Sequence, residues 1–263
     1  MSDLLLLCYH AISERWPASL ALTPADFSSQ VSWLVRRGYR GVTLSEAIAG
    51  PEHSKAVAIT FDDAYRSVFE LARPILADAG MPASVFALTS FTGTEQPMSW
   101  PGVERWLEGE HREELVPMSW DELRELADHG WEVGSHTRTH ARLTELADAA
   151  LDAELEESKG EIEARLGDSC RSLAYPFGVY DDRVVAAAGR AGYTAAAGTL
   201  PGRLRPPTGP LDWPRIVINR PDSLGRFRAK TSRPVRAAKS SPAWDGISAA
   251  RRAVRRLRAR ARD

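Results

Sequence analysis

About seven or eight times within roughly 220 residues, a short apolar run gives way to a stretch with helical spacing, the pattern of parallel strands joined by crossover helices. The runs fall near residues 4–8, 41–43, 57–61, 84–88, 172–175, 194–197 and 216–218, with another just before Ser135. Between them lie helix signals. Thr23-Pro24-Ala25-Asp26 combines an N-cap, a proline at the first helical position and an acid in the first turn, and Phe27, Val31, Leu34 and Val35 then recur until Gly38. Ser119-Trp120-Asp121-Glu122 reads as a capping box for a helix ending at Gly130, and further helices are expected over 44–49, 65–79, 144–166 and 182–190. A closed or partly open β/α barrel fits this pattern, and in such barrels the chemistry sits at the C-terminal ends of the strands.

The most informative run is Val57-Ala58-Ile59-Thr60-Phe61, which delivers Asp62 and Asp63 at its end. Two buried carboxylates need partners, because an isolated buried charge is costly unless it is paired or bound to a metal. His136 and His140 follow another apolar stretch, and one Asp with two His is a common ligand set for Zn²⁺, leaving the second Asp free for proton transfer. Taken singly, each pair has an ordinary reading. A double Asp after a strand often forms a turn or caps a helix, and two histidines four apart are often surface neighbours. Together, both pairs follow strand-like runs and would meet on one face of a barrel.

Composition narrows the class. A hydrophobic fraction of 43% supports a globular core, and Cys8 and Cys170, the only cysteines, are expected to be buried reduced thiols with no disulfide framework. The opening MSDLLLLCYH has an acid before a very short apolar run, the mark of neither a signal peptide nor a membrane span, so a cytoplasmic protein is expected. The net charge of −1 hides a division: residues 1–225 carry 21 Lys and Arg against 33 Asp and Glu, whereas residues 226–263 carry 13 against 2. An acidic domain over 1–225 is therefore followed by a basic tail over 226–263, helical or disordered. Within that tail, Ile247, Ala250, Val254 and Leu257 recur at helical spacing among arginines, a pattern suited to an anionic membrane surface, here the inner face. A solvated disordered tail fits equally. Nucleic acid is disfavoured, because Trp244 is the tail's only interleaved aromatic apart from Phe227.

Thr60-Phe61-Asp62-Asp63, His136-Thr137-Arg138-Thr139-His140 and Ala174-Tyr175-Pro176-Phe177-Gly178 resemble, in order and separation, the first three motifs of the polysaccharide deacetylases, the NodB homology family. The likeness covers roughly residues 4–227 and includes Gly130-Trp131-Glu132-Val133-Gly134 and Ala191-Gly192-Tyr193. It implies a distorted (β/α)7-type barrel and a metal-dependent hydrolysis of the acetamide of an N-acetylhexosamine, in a polysaccharide or a lipid- or nucleotide-linked precursor. Asp63, His136 and His140 would hold a divalent metal, Zn²⁺ being the expected ion, while Asp62 acts as general base. The matching family position for a backbone N–H toward the oxyanion is Tyr175, whose side chain is either core or a substrate contact. An amidase on another small N-acyl compound, or a noncatalytic carbohydrate- or metal-binding relative, stands as the alternative.

Two departures from the family pattern matter. Ala174 stands where the third motif usually carries an arginine that orients the catalytic aspartate, and Arg171 is an odd number of residues away, hence on the opposite face of a strand. Arg215 is the candidate substitute; a solvated arginine at a strand start is the other reading. The last motif, at Ile216-Val217-Ile218-Asn219, lacks its usual histidine, so a general acid must come from elsewhere. His10 is the candidate: His53, His111 and His129 fall in polar loop or helix-end contexts, and Cys8-Tyr9-His10-Ala11-Ile12 resembles the Tyr-His opening of the exopolysaccharide-deacetylase branch. Hydrogen bonding to loop backbone is its alternative role.

Overall fold

A computed structural model describes residues 3–50, 54–199, 204, 206–241 and 244. The strands are β1 (Asp3–Tyr9), β2 (Ala11–Ile12), β3 (Ala21–Leu22), β4 (Arg40–Val42), β5 (Lys55–Phe61), β6 (Ser84–Ala87), β7 (Glu132–Ser135), β8 (Ser172–Ala174), β9 (Ala195–Gly198), β10 (Trp213–Pro214) and β11 (Ile216–Val217). The helices are α1 (Pro24–Arg36), α2 (Leu44–Ala49), α3 (Arg73–Asp78), α4 (Trp120–Asp128), α5 (Asp148–Leu166), α6 (Asp182–Arg190), α7 (Leu224–Thr231) and α8 (Arg233–Ser240).

All pairings in the main sheet are parallel, in the order β10-β9-β8-β7-β6-β5-β1-β11, with β4 beside the first half of β5. Residues 213–217 bring the two ends of this path together. Trp213 and Pro214 pair with β9, the Arg215 amide donates to Gly198 O, and Ile216 and Val217 pair with Leu7 and Cys8 of β1. The sheet is thus nearly closed into the distorted β/α barrel that the alternation of runs and helices demanded, with Arg215 at the seam.

Strand periodicity sorts the side chains. Leu5, Leu7, Tyr9, Val57, Ile59 and Phe61 join the large core beneath the helices, whereas Leu6, Ala58, Phe86, Ala174 and Ala197 form a separate cluster inside the barrel. That interior is narrow. A Cβ placed on Gly134 would lie 2.4 Å from Ser172 Oγ and 2.6 Å from Phe86 Cε1, so glycine is required there by space.

Helix α1 starts at the Thr23 cap, and α4 begins with the Ser119–Glu122 capping box. The single helix expected over 65–79 instead has a π turn at Val68–Ala72 before α3. Pro74 explains it: proline has no N–H and crowds the carbonyl four residues back, so the turn before it widens. The helix expected from 144 begins at Asp148, after a 3₁₀ turn at Leu143–Glu145.

The boundary expected after Gly225 falls inside α7. Phe227 is fully buried and meets the Trp33 ring of α1 edge-on at 5.8 Å. Arg236 of α8 donates to Leu4 O at 3.0 Å and pairs with Asp3. An apolar anchor and a buried ion-pair partner thus tie the first helices of the basic segment to the barrel. The amphipathic stretch over 247–262 lies outside the described residues. Among the described residues no helix is long and apolar enough to cross a membrane.

Candidate active site

The ends of β1, β5, β7, β8 and the seam converge on one polar cluster. Asp62 and Asp63 leave β5 in a turn whose backbone is left-handed at Asp63 (φ 69°) and Ala64 (φ 49°). Thr137, His140 and Phe177, in the turns after β7 and β8, are also left-handed. Such conformations cost on the order of 1–3 kcal/mol each in a non-glycine residue and gather where a site is held against local preference. All five described non-glycine cases lie in these turns.

Asp63, His136 and His140 are buried and bring their ligand atoms within 4.8 Å of one another. Asp63 Oδ1 lies 3.3 Å from His136 Nε2 and 3.5 Å from His140 Nε2, and it has no hydrogen-bond partner among the described residues. An orphaned carboxylate oxygen facing two imidazole nitrogens in a dry pocket is the donor set a divalent cation takes, so these residues fit the expected metal. His136 Nδ1 lies 2.7 Å from Ala174 O, which fixes its Nε2 as the nitrogen turned toward Asp63. Glu154 on α5 secures the loop between the histidines, accepting from the amides of Arg138 and Thr139 at 2.9 Å each and from Thr139 Oγ1 at 2.6 Å.

Burial pushes His140 down to about 3, so it stands neutral, as a ligand must. Burial acts the same way on His136, but the charges of Asp62 and Asp63 outweigh it and raise its pKa. For Asp63, burial works upward and loses to the two histidines, leaving the carboxyl below its ordinary value.

Asp62 turns the other way, into the barrel. Arg215 is 2% exposed and grips it with both arms, Nη1 to Oδ1 at 2.6 Å and Nη2 to Oδ2 at 2.8 Å. Nη1 also donates to Thr60 Oγ1 at 2.8 Å, and that hydroxyl donates to Leu7 O at 2.8 Å. Burial would raise the Asp62 pKa, but the Arg215 charge, with a smaller contribution from His136, holds it well below the usual carboxylate range. Arg215 is therefore not the solvated arginine of the alternative reading. Its guanidinium occupies the barrel interior, 5.5 Å from the Phe86 ring centre, where Ala58, Ala174 and Ala197 leave room. Arg171 is exposed, on the outer side.

His10, partly buried at the end of β1, has a nitrogen within 4.8 Å of an Asp62 oxygen and of Cys8 Sγ; its Nδ1 is buried with no hydrogen-bond partner among the described residues. His111 packs edge-on against Trp106 and His129 sits at the end of α4; His53 lies outside the described residues.

Tyr175 is a correction. Its amide donates to Ala197 O at 3.1 Å within the sheet and its hydroxyl to Leu211 O at 2.8 Å, so neither donor is free for an oxyanion. Its ring is core, packed on Tyr180 at 4.6 Å. Two residues on, the Phe177 amide has no acceptor among the described residues, and its ring centre is 4.4 Å from that of His140. The left-handed turn at Phe177 releases that amide from the ladder, a signal that the sequence carries only as an unusual Pro-Phe-Gly.

Two other neighbours went unread. Cys8 is fully buried with Sγ 3.4 Å from Asp62 Oδ2, and Trp100 stacks on His140. In the sequence Cys8 reads only as part of an apolar strand, and Trp100 lies in a stretch, residues 92–117, broken by Gly93, Pro97, Pro101 and Gly102 and without a regular period. Cys8 and Cys170 are both free and buried, as expected.

A nearly closed parallel β/α barrel thus carries a carboxylate–histidine cluster at its C-terminal mouth. The polysaccharide deacetylase family matches residues 49–196, more than half of the chain, and the chain belongs to that family. Among individual proteins it is similar to YxkH of Bacillus subtilis (strain 168), provisionally named a polysaccharide deacetylase: 28% identical over 75% of this chain and 64% of that one. The chain thus spans less than two-thirds of that relative's length. The poly-beta-1,6-N-acetyl-D-glucosamine N-deacetylase of Staphylococcus aureus is 24% identical over 80% of this chain and 72% of its own length. In fold, the chain is similar to the Streptococcus pyogenes deacetylase PplD, solved with acetate, with a TM-score of 0.71, 22% identity, and coverage of 87% of this chain and 98% of that one.

Proposed function

We propose that the protein is a divalent-metal-dependent de-N-acetylase that hydrolyses the acetamide of N-acetylglucosamine units in a polysaccharide or its lipid- or nucleotide-linked precursor. The observation that carries the reading is the separation of two adjacent carboxylates into two environments. Asp63 faces His136 and His140, while Asp62 is gripped by Arg215 and stays ionised. That division fits one ligand and one base.

Asp63, His136 and His140 would hold the cation, Zn²⁺ being the expected ion, which supplies an acidified water and polarises the acyl oxygen. Asp62 accepts the water's proton on a carboxylate held by Arg215, whose guanidinium is in turn held by Thr60. The Phe177 amide is the candidate donor to the developing oxyanion, in place of Tyr175. His10, on the same mouth as Asp62, delivers a proton to the departing amine nitrogen as the C–N bond breaks, without which the tetrahedral adduct would expel water and revert to the amide. The membrane role of the basic tail, with a cytoplasmic site of action on the inner face, is proposed on the charge pattern of residues 226–263 alone.

Acetate release from poly-β-1,6-N-acetylglucosamine and from β-1,4-linked N-acetylglucosamine oligomers, with chelator and after zinc is restored, tests the reading. Chelator-sensitive release from either polymer supports it. Release only from non-sugar N-acyl compounds would indicate an amidase, and zinc binding without turnover on any substrate would indicate a noncatalytic relative.

A further inference from the structure

We infer that Trp100 is a positioning residue for the metal centre, setting the ring of His140 by stacking where His136 uses a hydrogen bond. This rests on the reading of Asp63, His136 and His140 as ligands. A ligating histidine is ordinarily oriented by a hydrogen bond from its other ring nitrogen. His136 follows that rule through Ala174 O. His140 does not: its Nδ1 is buried and has no hydrogen-bond partner among the described residues. Without such a bond, an imidazole on a left-handed turn could rotate its Nε2 away from Asp63 unless something else restrains the ring plane.

The restraint is aromatic. Trp100 lies over His140 with ring centres 4.3 Å apart and planes 27° apart, and Phe177 meets the imidazole edge-on at 4.4 Å. Arg142 backs Phe177, its guanidinium carbon 4.1 Å from the ring centre. Trp100 is itself fixed: it is 7% exposed, packs edge-on against Phe91 at 6.0 Å, and its carbonyl accepts from the Val103 amide at 3.1 Å. A flat indole over a flat imidazole resists ring rotation, since turning the imidazole would drive its edge into the indole face. The segment between β6 and α4 therefore reaches back to complete the metal site from outside the barrel. Met98, Val103, Leu115 and Met118, also buried in this segment, seat that reach against the core.

The test is zinc affinity of the full chain, by competition with a chromophoric chelator at fixed pH, for wild type, Trp100→Phe, Trp100→Leu, Trp100→Ala and His140→Ala. Loss of a group that orients a ligand typically weakens metal binding about 10–100-fold, and that loss is expected for Trp100→Leu and Trp100→Ala, with Trp100→Phe restoring affinity to within about threefold of wild type. Trp100→Leu keeps the pocket filled, and unfolding curves in excess chelator verify that the variants compared are folded. Wild-type affinity in Trp100→Leu, or equal loss in Trp100→Phe and Trp100→Ala, would overturn the stacking role while a weakened His140→Ala leaves the ligand reading standing. Unchanged affinity in His140→Ala would overturn both.

Discussion

Replacing Arg215 by methionine keeps a long side chain in the barrel and removes the charge that grips Asp62 from the interior. In the wild-type chain both Asp62 oxygens accept from Arg215, at 2.6 and 2.8 Å, with both side chains almost wholly shielded from bulk solvent. Breaking a buried pair by removing one partner typically costs ~3–5 kcal/mol. Here the cost has a ceiling, because the stranded carboxylate can take up a proton instead of staying charged. From an ordinary Asp value near 3.9, protonation at pH 7 costs about 4 kcal/mol, and at pH 5 about 1.5 kcal/mol. The sign follows from linkage. In wild type the Asp62 pKa is depressed, so its contribution is present above the unfolded value and lost as pH falls through the folded one. In Arg215→Met the folded pKa would lie above the unfolded value, so the folded state holds the extra proton and the variant gains stability relative to wild type as pH falls. Urea unfolding in excess chelator should show a loss of ~3–4 kcal/mol at pH 7 that shrinks to ~1–2 kcal/mol at pH 5. Asp62→Asn added to Arg215→Met should recover much of the pH 7 loss. A loss below about 1 kcal/mol at pH 7, or one independent of pH, would refute the argument that this pair is dry and charged.

Asp63→Ala and His136→Ala should each lower zinc content at limiting metal, whereas Asp62→Asn should abolish acetate release with zinc still bound; equal zinc content in His136→Ala and wild type would remove the ligand assignment. His10→Ala should lower kcat by ~10²–10⁴-fold with metal content unchanged, and near-wild-type turnover would show that the proton comes from another donor. Glu154→Leu strips three acceptor contacts from the loop between the histidines and should cost ~2–4 kcal/mol in urea unfolding; a change under 0.5 kcal/mol, on the order of a neutral surface substitution, would show that the loop holds itself. Deleting residues 245–263 leaves Phe227 and Arg236 in place and should spare activity while abolishing salt-sensitive binding to anionic vesicles; equal flotation of full-length and truncated protein would dispose of the membrane role.

Much of the fold was legible because parallel strands buried on both faces leave continuous apolar runs, and helix starts carry local chemistry such as the Thr23 and Ser119 caps. The Asp62-Asp63 and His136–His140 pairs were legible for a related reason: a barrel places strand ends on one face, so residue type at a strand end is already a statement about location. The π turn before Pro74 could have been foreseen from proline's missing donor and its crowding of the carbonyl four residues back. Phe227 and Arg236 were hidden in a segment whose charge count resembled a free tail, because one buried phenylalanine outweighs many solvated arginines in deciding where a chain packs.

Sequence alone thus determined the strand-and-helix order and the residue types at the barrel mouth, since both follow from period and local hydrogen bonding. Tertiary structure alone decided which arginine meets Asp62. Arg215 lies 153 residues from its partner, and only closure of β9 onto β1 through residues 213–217 turns its side chain into the space that Ala174 leaves. Closure likewise decided that the Tyr175 amide belongs to the sheet and that Trp100 belongs to His140. Contacts of this kind depend on how separate segments share one interior volume, a quantity that no window of sequence contains.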